Sequence, residues 1–237
     1  GGSAYRLAAA DGVMNILESQ NIGYNTGAAL VPLVCQSCIY DLSYGDPKIR
    51  PTAKNGPRKP AVRHLPEQMP EPGISAQVPV QLWETLRYET IHESGLGIAA
   101  VSVGNFQMVA IVVVNALGDI FSPQNGQKIA GLKSLTEAGF WIVSTNYYRF
   151  IDTSSTSLPA IPTIGDVITN GAFSKAELNK IASMTRCAYA RCINPVATMA
   201  DGDSIYAASI GDVSVDINMA GTLAAEVMAQ AIQNAIH

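Results

Sequence analysis

From Gly97 to Leu117 the apolar residues follow a strand period. Ile98–Val103 alternates, Gly104-Asn105 supplies a turn, and Met108–Val114 is a continuous apolar run. The pattern predicts a hairpin whose second strand is buried. That strand ends in Ile111-Val112-Val113-Val114-Asn115-Ala116-Leu117-Gly118-Asp119. A buried strand seldom ends on Asn without cause, because an amide leaving water needs partners. An amide held at a strand end can donate a hydrogen bond into a site.

Elsewhere the period changes to that of a helix. Residues 4–19 carry an apolar stripe of Ala4, Leu7, Ala8, Val13, Ile16 and Leu17, broken by Gly23 and Asn25. Ala28–Val34 and Cys38–Leu42 read as strands, the first at an edge or bulge because of Pro32. Residues 44–79 hold eight prolines and predict a long surface loop, with a Pro-rich recognition arm as the less favoured reading. Residues 80–93 predict a helix through Leu82, Leu86 and Ile91, and residues 144–161 are rich in Ser and Thr. Thr163–Thr169 reads as a strand. Ser174-Lys175-Ala176-Glu177 is a capping box that opens a helix running to about Ile193. Ser204–Ser209 and Val213–Ile217 predict a hairpin around Gly211-Asp212, and residues 220–236 an Ala-rich closing helix. Strand pairs adjacent in sequence and interleaved with helices predict a layered α/β fold with mixed, largely antiparallel sheets. Neither GxGxxG nor GxxxxGK[ST] is present, so a nucleotide-binding fold is not indicated.

Composition narrows the picture. Of 237 residues 48% are apolar and 14% charged, which describes a globular chain. A net charge of −4 gives no electrostatic case for nucleic acid or a membrane surface. No apolar run approaches the roughly 20 residues that span a bilayer. Gly1-Gly2-Ser3 shows neither an initiator Met nor a signal peptide, which points to residues upstream and to a soluble, cytoplasmic protein.

The cysteines, Cys35, Cys38, Cys187 and Cys192, read as buried, reduced and structural. On a strand, Cys35 and Cys38 point to opposite faces; on a helix, Cys187 and Cys192 lie about 140° apart. No His stands near them to complete a metal site, and no cofactor is expected. His64, His92 and His237 are scattered, so a Ser-His-Asp site is not supported.

Several segments resemble the aminopeptidase family that contains the DmpA-type L-aminopeptidase/D-esterase, β-peptidyl aminopeptidases and nylon-oligomer endohydrolases. They are Gly1–Tyr5 with Ala9–Met14, Val31-Pro32 through Leu42, and Gly45-Asp46-Pro47. The likeness resumes at Ser94-Gly95-Leu96-Gly97, Val114–Asp119 and Ile129-Ala130-Gly131, and returns at Ser174–Ile181, Asn194-Pro195-Val196 and Thr198–Asp203. The nylon-oligomer branch looks closest. The resemblance implies a four-layer αββα sandwich of the N-terminal-nucleophile type, formed by one domain over residues 1–237. It implies a precursor that cuts its own backbone, here near 162/163, into 1–162 and 163–237. The new N-terminal hydroxyl residue then attacks an amide, with its own amine as base. It also implies assembly into tetramers or larger homo-oligomers.

Carried over residue by residue, the resemblance gives Asn115 a role beside the oxyanion. Asp201 and Asp203 match the acidic pair around the nucleophile, able to orient an ammonium and tune its pKa; on its own, Asp-Gly-Asp reads as an ordinary turn. Aligned without gaps, the nucleophile position falls on Pro162, which has no hydroxyl. A shift of one residue places Thr163 there, otherwise an ordinary β-branched strand residue. Glu84 falls where the nylon-oligomer branch has Lys, reversing the charge at a substrate-facing position, and Ile74–Leu82 replaces a Gly-rich segment. Three readings stand. The first is a self-processing amide-bond hydrolase acting on small peptides, amides or linear amide oligomers. The second is an inactive homologue serving as a binding or structural subunit. The third is an acyltransferase of the ornithine-acetyltransferase-like fold.

Overall fold

The computed structural model describes residues 3–40, 73–79, 93–131, 162–199 and 202–236. Tertiary contacts divide the chain into two compact units, Gly1–Glu71 and Pro72–His237.

In the first unit a 3-10 segment, Ser3–Ala8, leads into α1, Ala9–Ser19. β1 (Tyr24–Asn25) pairs antiparallel with β2 (Leu30–Val31) around Gly27, whose φ of 85° only glycine adopts readily. The expected strand Ala28–Val34 therefore shrinks to two residues, and residues 38–40 are not a strand. Pro32 removes a ladder donor. Downstream, the Gln36 side chain replaces a sheet partner: its amide nitrogen donates to the Arg6 carbonyl at 2.6 Å, and its oxygen accepts from Ala10 N–H at 2.9 Å.

The cysteine expectation needs correction. All four thiols are free, but Cys35 and Cys187 are exposed and Cys38 is half-buried. Cys192 alone is buried, its thiol pushed up to about 11 by desolvation.

The second unit is built on a five-stranded mixed sheet in the order β10-β8-β5-β4-β3. β3 is Gly73–Pro79, β4 Glu93–Val103, β5 Phe106–Val113, β8 Ile164–Gly171 and β10 Ser204–Val213. The predicted hairpin is β4 and β5, in register from Leu96↔Val113 to Val103↔Phe106. In β5 the even positions are buried and the odd ones less so, the pattern of a strand with one face against a core. That core is covered by α2 (Lys175–Cys192) and α3 (Ile217–Asn234). The α2 capping box is present as read from the sequence, with Glu177 accepting from Ser174 N–H at 2.8 Å. Closeness between α3 and β4 depends on Gly97, where a Cβ would run into the Ala231 carbonyl.

Three expectations change here. The last part of the Pro-rich segment is not loop, because Gly73–Pro79 forms the sheet's edge strand against β4. Proline at its end is tolerated on an edge. Residues 204–217 are not a hairpin. β10 is one strand running parallel to β8, with a register shift between Ser209 and Val213. Gly211 marks that irregularity by close approach, since a Cβ there would collide with the Asn170 backbone. Ile217 belongs to α3, whose N-cap Asp216 accepts from Asn218 and Met219 N–H. Lastly, Glu93 starts β4 rather than ending a helix; the rest of that expected helix, residues 80–92, lies outside the described residues. So do residues 41–72 and the Ser/Thr-rich 144–161.

A small sheet, β7-β6-β9, joins Lys128–Ala130, Asp119–Phe121 and Ile193–Asn194. Among the described residues no helix is long and apolar enough to cross a membrane.

Candidate active site

Four strand ends meet at one end of the five-stranded sheet. Leu96 of β4 pairs with Val113 of β5, Val113 with Ile164 of β8, and Ile164 with Ser204 of β10. Beyond those pairs, Val114 N–H donates to the Gly95 carbonyl at 3.3 Å and Ser204 N–H to the Thr163 carbonyl at 3.0 Å. Continuing the ladders sets Val114 opposite Thr163, Asn115 opposite Pro162, and Asp203 beside Thr163. Segments remote in sequence are thus gathered by topology.

Thr163 is the centre of this cluster. Its N–H donates to the Asp203 carboxylate at 2.8 Å. Its side chain is wholly buried, and its hydroxyl has no hydrogen-bond partner among the described residues. A buried hydroxyl left so costs about 1–3 kcal/mol, which marks the position as built for something other than stability. Gly202, the middle of Asp-Gly-Asp, packs on Pro162, where an added Cβ would come within 3.2 Å of the ring. Asn115 is fully buried, as is every residue from Val114 to Ile120. Asp201 and Glu84 lie outside the described residues.

Alternation decides which way these side chains face. Asp203 and Ile205 both line a cleft under α2, together with Tyr189. Gly165, the ladder partner of Ile205, lies directly beneath the Tyr189 hydroxyl. Thr163 has the parity of Gly165 and so faces the helix layer, whereas Pro162 has the parity of Ile164 and Asp166 on the opposite face.

Two features were not legible in the sequence. Tyr189 is buried over Gly165, and its hydroxyl lies 3.4 Å from the Ser204 carbonyl. Burial, then the charges of Asp203 and Asp166, raise its pKa well above the ordinary phenol range, so it remains a proton donor. A buried ion pair closes the turn that follows Asn115. Lys128 Nζ lies 2.6 Å from Asp119 Oδ1, their side chains 7% and 0% exposed. Desolvation lowers the Lys128 pKa, opposed by Asp119. Gly131, at φ 119°, fits against that carboxylate, where a Cβ would collide. In sequence Asp119 and Lys128 are two ordinary charges; only pairing across β6 and β7 shows them as partners. Among the described residues no three His, Cys, Asp or Glu side chains are grouped to hold a metal.

An uncharacterized aminopeptidase of Mycobacterium leprae is 32% identical over 219 residues, covering 90% of this chain and 59% of that protein. The 6-aminohexanoate-oligomer endohydrolases of Kocuria sp. and Paenarthrobacter ureafaciens are 27% and 26% identical, each alignment covering 99% of this chain and 69% of the enzyme. The chain spans about three fifths of the length of the mycobacterial relatives. A crystal structure of a Pyrococcus horikoshii protein shares the fold, with TM-score 0.57 and 19% identity over 98% of this chain and 63% of that one. No protein-family model matches. The resemblance read from the sequence therefore holds. The chain is similar to proteins named as aminopeptidases and amide-oligomer endohydrolases, and its fold is of the expected α/β class.

Proposed function

We propose that the chain is an amide-bond hydrolase in which Thr163, freed at its nitrogen by self-cleavage after Pro162, is the nucleophile. The observation that carries this reading is the pairing of Thr163 N–H with Asp203 beside a buried hydroxyl that has no partner among the described residues. In maturation the hydroxyl oxygen attacks the Pro162 carbonyl carbon, the C–N bond breaks, and the Thr163 nitrogen leaves as an amine. Water then cleaves the ester, giving the Pro162 carboxylate and restoring the hydroxyl. In turnover the same oxygen attacks a substrate amide. Its proton passes to the Thr163 amine and then to the leaving amine, and water hydrolyses the acyl ester. Asn115 lies past the last residue of β5, where strand parity no longer sets the side chain's face, and is assigned as donor to the oxyanion. Its replacement by Ala is expected to lower turnover about 10²–10³-fold, measured as steady-state kcat on a chromogenic amide; a near-normal rate removes Asn115 from the site.

Asp203 sets the pH dependence. An opposite charge favours the protonated amine while burial favours the neutral one, so Asp203 raises the titration of the Thr163 amine above what burial alone would set. The base must be neutral, so activity rises with pH through that raised value. Asp203→Asn is expected to move the midpoint down by about 1–3 units, read from the pH profile of kcat. An unmoved midpoint would show that the carboxylate does not act on the base.

The relatives' names support small peptides or amide oligomers as substrates. Homo-tetramers, a cytoplasmic location, one domain over residues 1–237, and roles for Asp201 and Glu84 belong to the same proposal. A second reading, an inactive homologue that binds without cutting, is favoured by Pro162 at the ungapped nucleophile position. Intact mass under denaturing conditions with N-terminal sequencing separates them. A new terminus at Thr163 supports the hydrolase; a single chain of 25.0 kDa, silent on amides, supports the binding subunit.

A further inference from the structure

We infer that the cleft between α2 and β10 binds the carboxylate end of a small acylated amino acid, with Arg186 holding the carboxylate and the amide directed toward Asp203 and Thr163. The site deepens the hydrolase reading by naming its substrate class, and its binding chemistry stands without turnover.

The cleft measures about 220 Å³ and is lined by Asn179, Ser183, Arg186, Tyr189, Asp203 and Ile205. It is below the roughly 300–1,000 Å³ of pockets for drug-sized ligands, so its occupant is small. Asn179, Ser183 and Arg186 recur at helical spacing on one side of α2. At 1.5 Å per residue the seven positions from Asn179 to Arg186 span about 10 Å, the length of a short acylated amino acid. Arg186 is exposed and makes no ion pair or hydrogen bond among the described residues, unlike Arg191 of the same helix, which pairs with Glu226 at 2.6 Å. A guanidinium offers the planar fork that suits a carboxylate.

Charge gives the ligand a direction. Asp203 repels a carboxylate, so the anionic end goes to Arg186 and the neutral amide takes the other. Asp203 is also the group that holds the Thr163 nitrogen, so the cleft and the candidate nucleophile share a wall. Tyr189, whose hydroxyl donates to the Ser204 carbonyl, fixes the floor of the cleft beside that wall. Ile205 supplies apolar surface for the intervening methylenes.

The test is calorimetric titration of the full chain with N-acetyl-β-alanine and with its carboxamide. The acid is expected to bind about tenfold or more tightly, the worth of a charge-assisted hydrogen bond. Arg186→Gln should erase that preference, and Arg186→Lys should retain part of it. Equal binding of acid and carboxamide, no binding of either, or an unchanged preference in Arg186→Gln overturns the inference. Binding is read without catalysis, so a chain that binds the acid but never cleaves would refute the hydrolase reading and leave this site standing.

Discussion

Thr163→Ala is expected to leave the chain uncut and without measurable turnover, because the variant lacks the oxygen proposed to attack in both steps. The backbone consequences should be small. Ala retains the N–H that donates to Asp203 and the carbonyl that accepts from Ser204, and removing a hydroxyl with no partner among the described residues relieves a desolvation cost. Stability equal to or slightly above that of the parent, with processing lost, is therefore the signature of a nucleophile. A strand residue of purely structural value would give the opposite: lower stability and unchanged processing. Intact mass and a denaturant midpoint on the same preparation distinguish the two. Thr163→Ser supplies the control, since it keeps the hydroxyl and should retain cleavage. Continued cutting in Thr163→Ala would sink the assignment.

Lys128→Ala should destabilise the protein by about 3–5 kcal/mol, the range found when one partner of a buried ion pair is removed. Asp119 is wholly buried and Lys128 nearly so, and the loss would take from a buried carboxylate its cation in the small sheet. The effect should extend to the site. Asp119 ends the buried turn that begins at Asn115, and Gly131 is shaped around its carboxylate. Turnover should fall along with stability. The double variant Asp119→Leu with Lys128→Met fills similar volume without charge and should recover most of the lost stability, measured by chemical denaturation. If Lys128→Ala costs less than about 1 kcal/mol, the pair behaves like an exposed one and does not hold the turn.

How much of this was legible without coordinates depends on the range of each interaction. Periodicity and capping are local, so the β4–β5 hairpin, the strand after Thr163, α2 with its Ser174–Glu177 box, and α3 could all be read from residue spacing. The misreadings share one cause: a local cue overridden by a distant partner. Gly211-Asp212 has turn chemistry, yet pairing with β8 draws the segment into one parallel strand. Gly73–Pro79 has loop composition, yet β4 offers an edge to pair with. Cys35 and Cys38 follow a strand-like run, yet Gln36 ties the segment to the Arg6 and Ala10 backbone instead.

The candidate site divides in the same way. Local chemistry marks Asn115 alone, because an amide at a strand end is a local property; Thr163 and Asp203 are marked only by the family resemblance, since by themselves they read as a strand residue and part of a turn. Only the tertiary structure brings them together, since strand order and register carry the end of β5 and the starts of β8 and β10 to the same end of the sheet. It also decides facing, which depends on a single-residue parity: Thr163 toward the helices and Pro162 away. The Asp119–Lys128 pair and the Arg186 cleft belong wholly to this level. Whether two charges meet, or one is left free, follows from how sheets and helices pack, and no spacing along the chain encodes that by itself.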